Sequence, residues 1–300
     1  MALVRRADPV DLVLPTVREE RRGAIRGRLR RWLPIGIGIA LAVFMIVLAA
    51  AAPLIAPLSP SAQFSDAVLK GPGVIERHIL GTDDFGRDIL SRIIWGARVS
   101  LEVGLASVVF AFVLGVPLGI VAGVRRGHVE TVIMRCADML MAFPTLLLAL
   151  IIVTALGGSL VNEILAIGVA LTPNFLRLAR SLALTIREQD YILAARALGS
   201  GQLRVMARHV FPNTLYALVV VASLYIATAI RTEASLSFLG LGIPPPTPSW
   251  GNILSEGRQY IKCCPWITTF SGLAIMVAVL SFNLVGDALR DLLDPRLKGE

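Results

Sequence analysis

Charge is scarce in this chain. Charged residues make up 17% of it, while 55% are hydrophobic and the mean hydropathy is +0.73. Ordinary globular chains carry about 25% charge. A water-soluble fold has no place to hide so much apolar side chain, and a disordered chain would not carry it. Cysteine is scarcer still. Cys136, Cys263 and Cys264 are the only three in 300 residues, too few for a disulfide-stapled secreted module. Lysine is almost missing: Lys70, Lys262 and Lys298 stand against 26 arginines. None of the three follows a glycine, so the chain holds no Walker A loop of its own.

Catalytic patterns are missing as well. His78, His128 and His209 are read as loop residues, and no HExxH helix is present for zinc. No GxSxG elbow occurs; Gly157-Gly158-Ser159 reads as a turn between two apolar runs. Cys136 has no metal partners in sequence, and Cys263-Cys264 is either two thiols or a vicinal disulfide. Asp83-Asp84-Phe-Gly-Arg-Asp88 lacks the spacing of a twelve-residue calcium loop, and Arg87 sits among its acids, which favours local ion pairing and helix capping. The net charge is +8, but no basic stripe interleaves with aromatics as a single-strand nucleic-acid binder requires. The arginines bracket apolar runs.

A bilayer core takes about 20 apolar residues as helix. Six runs qualify as candidates: Leu33–Ala52, Leu101–Val124, Met139–Leu156, Leu160–Leu176, Thr214–Ile230 and Trp266–Gly286. The first is longer than a signal-peptide core and follows 32 residues, so it reads as an uncleaved span. The runs divide the chain into a basic tail 1–32, a first span 33–52, an external loop 53–100, a five-helix core 101–290 and a tail 291–300. Within that core, 177–213 is a cytoplasmic loop and 238–265 an external one. Lys and Arg fix the orientation. Twenty-one fall on one set of alternate segments and seven on the other, which puts both termini in the cytoplasm. The expected class is an all-α integral membrane protein with six transmembrane helices.

Gly104, Gly115, Gly119 and Gly123 recur along the second run. They allow close helix contact, or simply reflect the glycine content of membrane helices. Ionisable residues inside a bilayer are costly and usually functional. The central turns of all six runs contain none, which weighs against a proton-coupled carrier. Glu102, Glu163, Arg231 and Glu233 sit near the outer boundary. Arg231 is expected either to pair with Glu102 or Glu163, or to snorkel to the interface.

The segment from Asp190 to Asn213 carries two short amphipathic helices. Tyr191, Ala194, Ala195 and Leu198 share one face, at i, i+3, i+4 and i+7. Gly199 and Gly201 break the helix. Leu203, Met206 and Val210 form a second apolar face, with Arg204 and Arg208 on another side, and Pro212 is expected to end the unit. Such a pair either lies on lipid or docks a soluble partner.

Leu193-Ala194-Ala195, then Gly199, His209 and Pro212, resembles the conserved cytoplasmic loop of ABC-importer permeases. Leu193 departs from that pattern, which often has Glu there. Leu80-Gly-Thr-Asp-Asp-Phe-Gly-Arg-Asp-Ile-Leu-Ser-Arg92, Ser235-Leu-Ser-Phe-Leu-Gly-Leu-Gly242, Pro245-Pro-Thr-Pro-Ser-Trp-Gly251 and the stretch from Phe282 to Arg296 are similar to signatures of the peptide-type permeases. The resemblance covers about residues 33–298. It is to the second, C-type permease subunit of dipeptide and oligopeptide importers.

That resemblance implies a six-helix type I importer fold in the bacterial plasma (inner) membrane. It implies a distinct B-type permease, two ATP-binding subunits and an extracytoplasmic binding protein as partners. ATP and magnesium would belong to the ATPases, and this chain would hold no cofactor, metal or catalytic site. Relatives of the superfamily also carry nickel complexes, glutathione or other small solutes, and a secondary transporter is the other class. The loop residues Tyr191, Leu193, Ala194, Ala195, Leu198, Gly199, Arg204, Arg208, His209 and Pro212 would couple the permease to the ATPases.

Overall fold

The computed structural model describes residues 17–293, with the backbone alone for 17–32, 34 and 293. The chain before residue 17 and after 293, including the Asp294-Pro295-Arg296 end of the last signature, lies outside the described residues. Among those described, the elements are helical apart from an isolated bridge between Thr82 and Asp88.

Helix α1 is Val17–Ala50, so the N-terminal arm expected as a tail already turns as helix from residue 17. Its apolar stretch, Ile35–Ala50, is shorter than a usual span. Helix α2 is Ile89–Arg125, α3 Gly127–Met141, α4 Thr145–Leu156, α5 Leu160–Arg187 and α6 Asp190–Ala197. Helix α7 runs unbroken over Gln202–Phe238, and α8 is Trp250–Gly257. The last, α9, is Trp266–Leu293.

By length and composition α2, α7 and α9 can each cross a membrane alone. The run expected as a third span, Met139–Leu156, is not one helix. It breaks at Ala142-Phe143-Pro144, where α3 and α4 meet at 87°. Proline lacks the N–H that would continue the ladder and biases the residue before it away from helix. The expected loop 53–100 is also shorter than read, because α2 begins at Ile89. Asp88 caps it, accepting from the Ser91 amide at 2.8 Å.

Helices α2 and α5 form the most extensive contact in the fold. The glycine recurrence on α2 is what lets them approach. A methyl on Gly119 would sit 2.3 Å from the Leu176 carbonyl oxygen and 2.8 Å from the Ala179 Cβ. One on Gly123 would sit 2.8 Å from the Ala183 Cβ, and one on Gly115 would meet the Thr172 oxygen at 2.7 Å. Gly104 makes the equivalent approach to Ile230 of α7. Small residues facing small residues bring backbones together where lipid supplies no hydrophobic drive between helices. Phe175 is buried at the middle of this core, edge-on to Phe112 at 5.6 Å between ring centroids.

At the end of the bundle where α2 begins, long-range contacts tie the 53–88 loop to α8. Arg87 and Arg92 both reach Asp83, and their guanidiniums bond to Glu256 at 2.8 and 2.7 Å. His78 Nδ1 lies 3.1 Å from Asp88. The acid cluster thus holds a local Arg87–Asp83 pair and a helix cap, and it also recruits Glu256 from far along the chain. Trp250 is fully buried at the start of α8, its indole donating to the Ile93 carbonyl at 3.0 Å.

Candidate functional site

At the opposite end, α5 hands over to a helical hairpin. Gln189 precedes α6, whose eight residues end at Ala197, and the chain turns at Gly199. Its φ is +85°, a conformation that glycine takes without steric cost. The stop is a Schellman closure. The Ser200 amide donates to the Ala195 carbonyl at 3.0 Å, and the Gly199 amide to Arg196 at 2.9 Å. The chain then reverses into α7.

Ile192 is fully buried and anchors the short helix. That leaves Tyr191, Leu193, Ala194 and Leu198 exposed, with Ala195 half-buried. Leu198 is 88% exposed at the tip, and Leu203 across the bend is 76% exposed. The second expected face is therefore divided: Met206 and Val210 point into the bundle while Leu203 points out. Arg204 and Arg208 are exposed, and the half-buried His209 lies with its ring 6.3 Å from Tyr191, across the hairpin. Neighbouring apolar side chains in water mark an interaction surface. Ile192 and Val205, both fully buried, were missing from the sequence reading. Their signal is that a β-branched residue sits on the inward face of each arm.

Pro212 does not end the hairpin. It lies inside α7, immediately after a π-helical stretch, Met206–Val210. In that stretch the Phe211 amide reaches back to the Met206 carbonyl, and the Asn213 side chain donates to the His209 carbonyl at 2.6 Å. After the wider turn, Pro212 falls in the first turn of the regular α-helical stretch, where proline is tolerated. His209 lies in this stretch and His128 in α3, so neither is the loop residue it was read as.

The base of the hairpin is held by ion pairs between α5 and the elements beside it. Arg187 and Arg126 converge on Glu188 at 2.8 and 3.3 Å. Hydrogen bonding and charge from Arg187, with Arg126 behind, hold the Glu188 carboxyl below its ordinary value. Arg180 donates to Glu130 at 2.8 Å, and Arg177 to Asp138 at 2.6 Å. Exposed pairs of this kind contribute little stability. They do set the register of α3 against α5, and so the direction in which the hairpin leaves.

The four charges read at the outer boundary do not assemble as one cluster. Glu233 is buried, accepting from Ser100 at 3.0 Å and Ser237 at 3.1 Å. Glu163 is 1% exposed, with neither oxygen hydrogen-bonded to protein. Glu102 is exposed on α2. Arg231 is exposed on α7 and forms no ion pair among the described residues, so the expected bond to Glu102 or Glu163 is not made.

Against known proteins, the model of the binding-protein-dependent transport system inner membrane component family matches residues 115–299. The dipeptide transport system permease protein DppC of Escherichia coli (strain K12) is 46% identical over 266 residues, covering 87% of this chain and 89% of that protein. The di/tripeptide transport system permease protein DppC of Pseudomonas aeruginosa (strain UCBPP-PA14) is 44% identical over 265 residues, covering 87% and 88%. Among solved structures, a chain of the MetNI methionine ABC transporter in an inward-facing conformation superposes with a TM-score of 0.56 at 20% identity. It covers 67% of this chain and 96% of that one. That last likeness is one of fold.

Proposed function

This chain belongs to the inner membrane component family of binding-protein-dependent transport systems, and from that premise we propose that it is the permease subunit of an ATP-driven importer of short peptides. The names of its relatives support the peptide class. It crosses the membrane six times with both termini in the cytoplasm. The distribution of arginine supports this, with α3 and α4 together serving as one bent crossing. It pairs with a homologous B-type permease, receives substrate from an extracytoplasmic binding protein and is driven by two ATP-binding subunits that hold ATP and magnesium. The chain itself makes and breaks no covalent bond.

One observation carries the mechanism: a hairpin whose tip exposes Tyr191, Leu193 and Leu198 is continuous, through α7, with a membrane-length helix. Closure of an ATPase pair on that tip moves α7 and exchanges inward- and outward-open states. Transport then requires differential contact with the two states, which the docked ATPases supply.

The test is uptake of a radiolabelled dipeptide by vesicles holding the full complex, with ATPase subunits intact or catalytically inactivated. Uptake that persists with inactive ATPases, driven by an ion gradient, would make the chain a secondary transporter. Topology is read from a cysteine placed at Ser200 after replacement of Cys136, Cys263 and Cys264. It should resist an impermeant thiol reagent applied from outside.

A further inference from the structure

Arg231 is a cation in search of an anion. Two residues along the same helix, Glu233 turns inward to Ser100 and Ser237, and Arg231 itself forms no ion pair among the described residues. An unpaired arginine at the edge of a membrane-length helix is a candidate functional group. Arg231 does not simply face outward. It lines a groove of about 550 Å³ between α4, α7, α8 and α9, whose other walls are largely apolar: Leu146, Phe238, Leu254 and Ile275. A second guanidinium, that of Arg258, lies 5.3 Å from the centre of the Phe238 ring, and it too forms no ion pair among the described residues.

Building on the peptide-importer reading, we infer that this groove receives the transported peptide, with Arg231 binding its C-terminal carboxylate. The volume falls within the range of about 300–1,000 Å³ usual for small-ligand sites. A guanidinium matches a carboxylate bidentately, and the apolar surround strengthens that bond relative to water. The carboxylate is common to every unblocked peptide, whereas apolar walls present few hydrogen-bonding groups to read a side chain. A site built in this way selects for the peptide terminus and tolerates variation in what precedes it. Arg258 at the rim adds positive charge along the approach.

The test uses the complete complex in nanodiscs with its binding protein. The probe is a dipeptide carrying a diazirine side chain and a free C-terminus, compared with its C-terminal amide. Photolysis of the wild type should label the segment around 231–239 with the free acid and at least tenfold less with the amide. Arg231→Gln should lower free-acid labelling tenfold or more and erase the preference over the amide, while Arg231→Lys retains part of it. Both variants should still co-purify with the sister permease, which shows that they fold and assemble. Labelling confined to other segments, or an unchanged acid preference in Arg231→Gln, overturns the assignment. So does loss of the sister subunit in Arg231→Gln, which would make Arg231 an inter-subunit ion pair. A tightly held anionic phospholipid seen by native mass spectrometry in the wild type and lost in Arg231→Gln would give the groove to lipid instead. Failure of the importer reading is distinct, since the wild type would then show no ATP-dependent uptake of either peptide.

Discussion

Arg231 and Glu233 lie two residues apart on one helix and face opposite environments. Glu233 is buried against Ser100 and Ser237, and Arg231 lines an open apolar groove. Two residues along a helix turn the side chain by about 200°. A boundary that looks uniformly charged in sequence is therefore split between the interior of the subunit and its surface.

The first prediction concerns the hairpin stop. Gly199 has φ +85° and open space around it, so a side chain there meets strain in the backbone rather than a clash. Gly199→Val should cost about 1 kcal/mol or more locally and misdirect the tip. Asparagine tolerates this conformation better, so Gly199→Asn should be milder. The permease should still insert and pair with its sister. Pull-down of the ATPases and dipeptide uptake should both fall sharply in Gly199→Val.

A second prediction follows from the contact of α2 with α5. Gly119→Val places a branched side chain where even a methyl carbon would overlap the Leu176 carbonyl. Overpacking costs about 1–3 kcal/mol, and a backbone atom cannot step aside as a side chain can. Melting of the detergent-solubilised protein should fall by several degrees. Gly36→Ala is the control, because nothing lies within 4 Å of its added methyl; it should leave melting unchanged or slightly raised.

Glu256 is the far partner of Arg87 and Arg92. Removing one side of a buried ion-pair network costs about 3–5 kcal/mol, less here because Glu256 is 23% exposed. Glu256→Ala should loosen the 53–88 loop. Faster cleavage after Lys70 or Arg77 by added trypsin is the expected readout. A wild-type cleavage rate in the variant would mean that Trp250 and the Asp88 cap hold this region without it.

Asp84 gives a pH dependence. Burial, and then the charge of Asp83, push its carboxyl above the ordinary 3.8, with Arg87 pulling the other way. The folded state therefore holds the proton more tightly than the unfolded state does. Stability contributed by this group is present below pH 3.8 and is lost as pH rises through the higher folded value. Asp84→Asn should remove that loss. Its melting temperature should fall less than that of the wild type between pH 4 and pH 7.

How far the fold can be read from the chain depends on the range of the interaction. Gly199 is legible because a left-handed stop leaves a glycine in the sequence. The glycines of α2 are legible as a recurrence, although the partners that require them lie on α5. Pro144 was plain to see, yet a window of apolar residues averaged across it and joined two helices bent by 87°. Pro212 misled in the opposite sense, because proline is tolerated in the first turn after a π-helical stretch and the sequence does not mark where that falls. The bond from Arg92 to Glu256 crosses 164 positions, and no local pattern announces it. Arg231 is legible as a boundary cation expected either to pair or to snorkel, and only the fold shows that neither Glu102 nor Glu163 meets it.

The continuity of α7 has a mechanical consequence. At 1.5 Å per residue, its 37 residues make a rod about 55 Å long, with Leu203 near one tip and Phe238 at the other. Such a rod is a lever. A tilt of about 5° about one end sweeps the other through about 5 Å, enough to reshape a groove of the size that Arg231 lines. The signal at the hairpin would need no relay of successive contacts to cross the protein. The one departure from α-helix along the rod is the π-turn at Met206–Val210. A substitution at Met206 that restores regular helix there would change the pitch of the lever and so displace Arg231 without touching the groove.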